Sequence, residues 1–127
     1  MPAKPKLTDT EWAIIKEVWR LEPCAAPAVQ EALHSSRGWS YSTVRTLMDR
    51  MAVKGLLTTE KMRNLTLFRS AIRREEAQKS ELMSTLRRAF NGALTPLVQC
   101  LLDTQNVSPA ELAEFEKLIK FKKRSKE

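Results

Sequence analysis

The chain has 127 residues, with 22 Lys and Arg against 15 Asp and Glu and a formal net charge of +7. That length suits one compact domain, or a small domain with an appendage, and it can bury a core without disulfide staples. Two cysteines, Cys24 and Cys100, and one histidine, His34, exclude a disulfide framework, a zinc ribbon and a Cys/His metal cluster, so no cofactor or metal is expected.

The charge is unevenly placed. Residues 1–74 hold 13 basic and 7 acidic side chains, net +6, whereas residues 75–127 hold 9 and 8, net +1. Basic charge concentrated in one module points to a polyanionic partner. No apolar run approaches the roughly 20 residues of a membrane span, and the opening MPAKPKL lacks the apolar stretch of a signal peptide. A cytoplasmic protein with no direct membrane insertion is expected.

The first helix begins at Thr8-Asp9-Thr10-Glu11, which has the spacing of a capping box, with Leu7 and Trp12 placed as a hydrophobic staple. Trp12, Ile15, Val18 and Trp19 share one face, and Pro23 ends the helix. A short second helix over residues 26–33 would bury Ala28, Val29, Ala32 and Leu33; Ala25 offers its start no side-chain acceptor. The third helix starts at Ser40 and carries Val44, Leu47, Met48 and Met51 as a core stripe, with Gly55 at the left-handed terminal position. Its other face presents Ser42, Thr43, Arg45, Thr46, Asp49 and Arg50. A hairpin follows, built from residues 56–60 and 65–68 around the polar tip Lys61-Met62-Arg63-Asn64, where Asn64 tolerates a positive φ. Three helices and a hairpin describe a winged helix-turn-helix over residues 1–72.

Residues 73–127 read as helix throughout. Leu82, Met83, Leu86 and Phe90 share a face up to the break at Asn91-Gly92; Leu94, Leu97, Val98, Leu101 and Leu102 form a second stripe. Ser108-Pro109-Ala110-Glu111 is a second capping box, followed by Leu112, Phe115, Leu118 and Ile119. The charged tail, KFKKRSKE, is expected to fray. These stripes lack a layer of their own to pack on, so a dimer made by two such appendages is expected to bury Leu82, Leu86, Phe90, Leu94, Leu97, Val98, Leu101, Leu102, Leu112, Phe115 and Ile119.

No catalytic constellation stands out. His34-Ser35-Ser36 supplies neither base nor oxyanion donor by spacing alone and reads as an exposed helix end, and there is no glycine-rich phosphate loop. Cys24 and Cys100 read as small buried hydrophobes, and Met62, Met83 and the tryptophans Trp12, Trp19 and Trp39 as core. The exposed face of the third helix is the candidate site. A helix fits the major groove, where Arg45 can pair with guanine, Thr43 and Thr46 can meet a thymine methyl or a phosphate, Ser42 can hold a phosphate, and Arg50 pairs with a phosphate or with Asp49 or a neighbouring acid. Lys61 and Arg63 would add wing contacts. The alternative is a winged helix that docks protein without reading DNA, which would want an acidic or apolar face on this helix.

The stretches LTDTEWAIIKEVW at 7–19, Ala28-Val29 through Leu33, and WSYSTVRTLMDRMAVKGLL at 39–57 carry a specific resemblance. The chain resembles the penicillinase-repressor and methicillin-resistance-repressor family (BlaI/MecI type) from about Leu7 to Leu118. The resemblance implies a homodimeric winged-helix transcriptional repressor that blocks a promoter at a dyad operator in double-stranded DNA. It implies a β-lactam or cell-envelope stress response, with a membrane sensor-transducer acting indirectly through cleavage in the dimerisation domain. Carried over by position, the recognition residues are Ser42, Thr43, Arg45, Thr46 and Arg50, and the wing-tip residues Lys61, Arg63 and Asn64. Three departures stand out. Arg63-Asn64 replaces the usual Gly-Arg tip, Ala25 replaces the Ser or Thr that starts the second helix, and Cys100-Leu101 stands in the candidate cleavage region where the penicillin branch has Asn-Phe. The tail lacks the cysteine-rich hook of the copper-responsive branch, so copper sensing is not expected.

Overall fold

A computed structural model describes residues 6–126. The segment MPAKP, part of the basis for expecting a cytoplasmic chain, and Glu127 of the tail lie outside the described residues. Along the chain run α1 (Asp9–Leu21), α2 (Ala26–Arg37), α3 (Tyr41–Val53), β1 (Leu57–Met62), β2 (Leu65–Ser70), α4 (Arg74–Phe90), α5 (Leu94–Thr104) and α6 (Pro109–Ser125). The fold class is the expected one: mostly α, with three helices and a two-stranded antiparallel hairpin making a winged helix. Among the described residues no helix is long and apolar enough to cross a membrane.

The capping box at α1 forms in both directions. Glu11 N–H donates to Thr8 Oγ1 at 3.2 Å, and Thr8 N–H donates to Glu11 Oε1 at 2.9 Å. The buried stripe of α1 is Ile14, Ile15 and Val18, with Trp12 and Trp19 half-buried beside it, edge to face at 6.0 Å. Helix α2 runs on past residue 33 to Arg37. Nothing between Leu33 and Arg37 breaks a helix, and the stop comes at Gly38, whose φ of 66° closes the last turn through its N–H to His34 O. His34 therefore lies in the last turn, exposed, and the start at Ala25 is uncapped by any side chain. Of the four residues expected on the buried side of α2, Val29 and Leu33 are buried and Ala32 is half-buried; Ala28 is exposed and Ala26 is buried instead.

Ser40 caps α3 by accepting from Thr43 N–H at 3.2 Å, and Val44, Met48 and Met51 are buried with Leu47 packed against them. Gly55, at φ 86°, turns the chain into β1. The hairpin register runs from Leu57 opposite Ser70 to Met62 opposite Leu65, so both strands are longer than the sequence pattern indicates and the loop contracts to Arg63-Asn64. The left-handed position falls on Arg63 (φ 60°), one residue before the asparagine expected to favour it. Phe68, fully buried, roots β2 in the core and also pairs with Cys24: Cys24 N donates to Phe68 O at 3.1 Å and Phe68 N to Cys24 O at 2.7 Å. Removing the Phe68 ring would cost about 3–5 kcal/mol.

The chain separates into two compact units, Met1–Met83 and Ser84–Glu127, so the division falls inside α4. In the first unit Ala77 of α4 is buried, and the Trp19 indole N–H donates to Ser70 Oγ at 2.9 Å and Ile72 O at 3.2 Å, where α4 begins. In the second unit no residue of α5 or α6 is buried. Ser108 caps α6 by accepting from Glu111 N–H at 3.1 Å. Instead of fraying, the tail continues α6 to Ser125. Lys122, Lys123 and Arg124 lie in its last turn, where the helix dipole favours cations.

Three expected core residues are exposed. Met62 lies in the outermost wing pair, beyond the part of the hairpin that reaches the core, and Met83 lies on an uncovered face of α4. Cys100 is exposed because no residue of α5 is buried, its leucine stripe included: Leu94 and Leu101 are themselves open.

Candidate nucleic-acid interface

The bundle decides which side of α3 is open. With Val44, Met48 and Met51 turned into the core, the helical period puts Ser42, Thr46 and Val53 at the centre of the opposite face, flanked by Asp49 and Arg50. All five are exposed, and Thr46, Asp49, Arg50 and Val53 line a shallow cleft with Lys54. Val53, 89% exposed, is a member of this face that a search for polar groups overlooks; its methyls suit the methyl edge of a thymine.

At the start of α3, the Ser40 hydroxyl lies 3.1 Å from both the Ser42 and the Thr43 hydroxyl oxygens. Three hydroxyls thus gather at the positive end of the helix dipole, which suits phosphate. Arg37 stands beside this end, 5.4 Å from the centre of the Trp39 ring, with Asp9 Oδ2 at 3.6 Å. No spacing rule marked it in the sequence.

The two arginines of α3 differ in their surroundings. Arg50 projects from the open face and makes no side-chain hydrogen bond or ion pair among the described residues. Arg45 lies at the flank toward the hairpin and is half-buried. Its Nε donates to Asp49 Oδ1 at 3.1 Å, its Nη2 reaches Thr66 Oγ1 of β2 at 3.5 Å, and its guanidinium lies 5.7 Å from the Phe68 ring centre. Asp49 is thus the partner of Arg45 rather than of Arg50.

The wing places Arg63 and Asn64 in the loop and Lys61 in β1, opposite Thr66; all three are exposed. Lys54, at the end of α3, donates to Glu11 Oε2 and is committed within the fold. Burial raises the pKa of Glu11, but the Lys54 ammonium and the N–H and hydroxyl of Thr8 outweigh it, and the carboxyl is held below its ordinary value. Burial, with the nearby Glu22 charge, pushes the Cys24 thiol up, so that cysteine stays protonated and inert.

A profile of the penicillinase repressor family matches residues 7–121, most of the chain. The chain belongs to the penicillinase repressor family. It is therefore related to repressors and not to enzymes. This family member is 26% identical over 124 residues to the penicillinase repressor of Bacillus licheniformis, covering 97% of each chain. It is 20% identical over 114 residues to the methicillin resistance regulatory protein MecI of Mammaliicoccus sciuri, covering 90% of this chain and 93% of that one. Among solved structures it is similar to the Bacillus licheniformis BlaI monomeric form in complex with the blaP half-operator. That likeness has a TM-score of 0.50 and 24% identity, and covers 57% of this chain and 88% of that one. It carries the winged-helix fold.

Proposed function

We propose that this penicillinase-repressor family member is a homodimeric, sequence-specific repressor that occupies a dyad operator and blocks a promoter by occlusion. The observation that carries the reading is the uncovered face of α3, with Ser42, Thr46 and Val53 at its centre and an unpaired Arg50, flanked by an exposed wing. In this reading α3 enters the major groove, Arg50 and Thr46 reach base edges, and Ser42 and Thr43 hold phosphate at the helix start. Lys61, Arg63 and Asn64 follow the flanking backbone. A face of hydroxyls and arginine favours DNA over a protein-docking surface.

Dimerisation is supported by the second unit, whose apolar stripes are left open. Leu94, Leu101 and Ile119 are each about half exposed or more, and Leu82 in α4 likewise. With Leu86, Phe90, Leu97, Val98, Leu102, Leu112 and Phe115 they form surface that a second copy would cover. A dimer places two α3 helices on two half-sites about one helical turn apart.

We further propose a role in a β-lactam or cell-envelope stress response, in the cytoplasm, with a membrane sensor-transducer acting indirectly; the relatives' names, a penicillinase repressor and a methicillin resistance regulator, support the β-lactam link alone. Release by cleavage at Cys100-Leu101 would require α5 to unwind, because that bond lies within helix.

Selection from randomised duplex DNA near physiological salt tests the reading. An inverted repeat recovered from the pool supports a dimeric operator binder. Salt-sensitive retention without any motif would overturn it.

A further inference from the structure

We propose that Arg45 is the positioning residue of the wing: it braces the outer hairpin against α3, so that helix and wing meet DNA as one rigid surface. Three contacts carry this. Asp49, one turn along α3, holds the guanidinium at 3.1 Å and fixes its direction. From there Nη2 reaches Thr66 Oγ1 at 3.5 Å, and the guanidinium plane sits 5.7 Å from the Phe68 ring centre. Thr66 is the register partner of Lys61, one pair from the tip. The brace therefore lands beside a cation of the wing, past the point where the core holds it: Leu57 is buried, and no later residue of β1 is. Two strands alone are marginal in water, so a side chain crossing from α3 to the outer pairs decides how firmly the tip is aimed. A planar fork that bonds a carboxylate with one edge while lying against a ring is a task for arginine and not lysine.

The second arm of the test rests on the DNA-binding reading; the first does not. In the free chain, Arg45→Ala is expected to speed amide hydrogen exchange in β1 and β2 near Thr59–Leu67 by about tenfold, while α1 and α2 keep wild-type protection. Arg45→Lys should exchange nearly as fast as Arg45→Ala, since it keeps only the charge. Unchanged exchange in the wing overturns the proposal whether or not the chain binds DNA. If exchange rises equally in α1 and α2, the side chain is a general stabiliser and the proposal also fails.

On the inverted-repeat duplex recovered by selection, Arg45→Ala should weaken binding to every single-base variant by the same factor. Combined with Lys61→Ala and Arg63→Ala it should add little further loss, because the brace acts through the wing cations. Full additivity, or relaxation at a single base position, would make Arg45 a direct reader and overturn the assignment. Should wild-type protein recover no motif, the DNA-binding reading fails, and the exchange result still decides the brace.

Discussion

One oxygen of the Glu11 carboxylate accepts the Thr8 backbone N–H at 2.9 Å while the other accepts the ammonium of Lys54, so a single side chain closes the start of α1 and ties down the end of α3. The folded state holds this carboxyl below its ordinary value of 4.5. Its contribution is therefore complete above that value and is lost as pH falls through the lower folded-state value. Melting temperatures measured between neutral pH and pH 3 should fall more steeply for wild type than for Glu11→Gln. At neutral pH Glu11→Gln should cost about 1–2 kcal/mol, the size of a weakened cap and charge-assisted bond. Parallel acid curves for the two proteins would contradict the role given to Glu11.

Arg50 and Lys61 should behave differently on operator DNA. Arg50→Ala should cost about 1–3 kcal/mol and relax preference at one base position. Lys61→Ala should weaken all sequences alike and reduce the salt slope by about 1. Binding isotherms at several salt concentrations on a panel of single-base variants separate the two.

The open stripes of α5 predict an assembly defect without a folding defect. Leu97→Asp with Leu101→Asp should shift the mass in analytical ultracentrifugation toward the single chain. The first unit should remain folded by near-ultraviolet dichroism, since its core includes no residue of α5. An unchanged mass would place the dimer contact elsewhere.

The thiols should react unequally. Cys100 is exposed and Cys24 is buried with its pKa pushed up, so one thiol per chain should react with a thiol reagent at neutral pH. The second should appear only on unfolding. Two reactive thiols in native protein would mean that the connector between α1 and α2 opens readily.

The sequence carried the skeleton of the fold well, for local reasons. Capping residues at Thr8, Ser40 and Ser108 and glycines at positions 38, 55 and 92 mark helix ends by chemistry acting within a turn. Stripes such as Val44, Met48 and Met51 follow from helical period alone. What could not be read depends on partners far along the chain. Asp49 holds Arg45 from one turn along α3, but the other contacts of Arg45, with Thr66 and Phe68, lie in β2, which no helical pattern of α3 contains. The pairing of Cys24 with Phe68 involves one residue of a connector, too short to show an alternation. The exposure of Cys100 depends on what covers α5, which a leucine-rich neighbourhood does not reveal.

That pairing also ties the connector after α1 to the second wing strand. The connector after α1 finds its backbone partners only when Phe68 arrives, and the Phe68 ring fills the space that α1, α2 and α3 enclose. A chain ending before the second wing strand would leave the three helices hollow at the centre, with the Cys24 amide and carbonyl unpaired. On the proposed DNA-binding reading, a chain that stops before the hairpin lacks the Phe68 packing beneath α3.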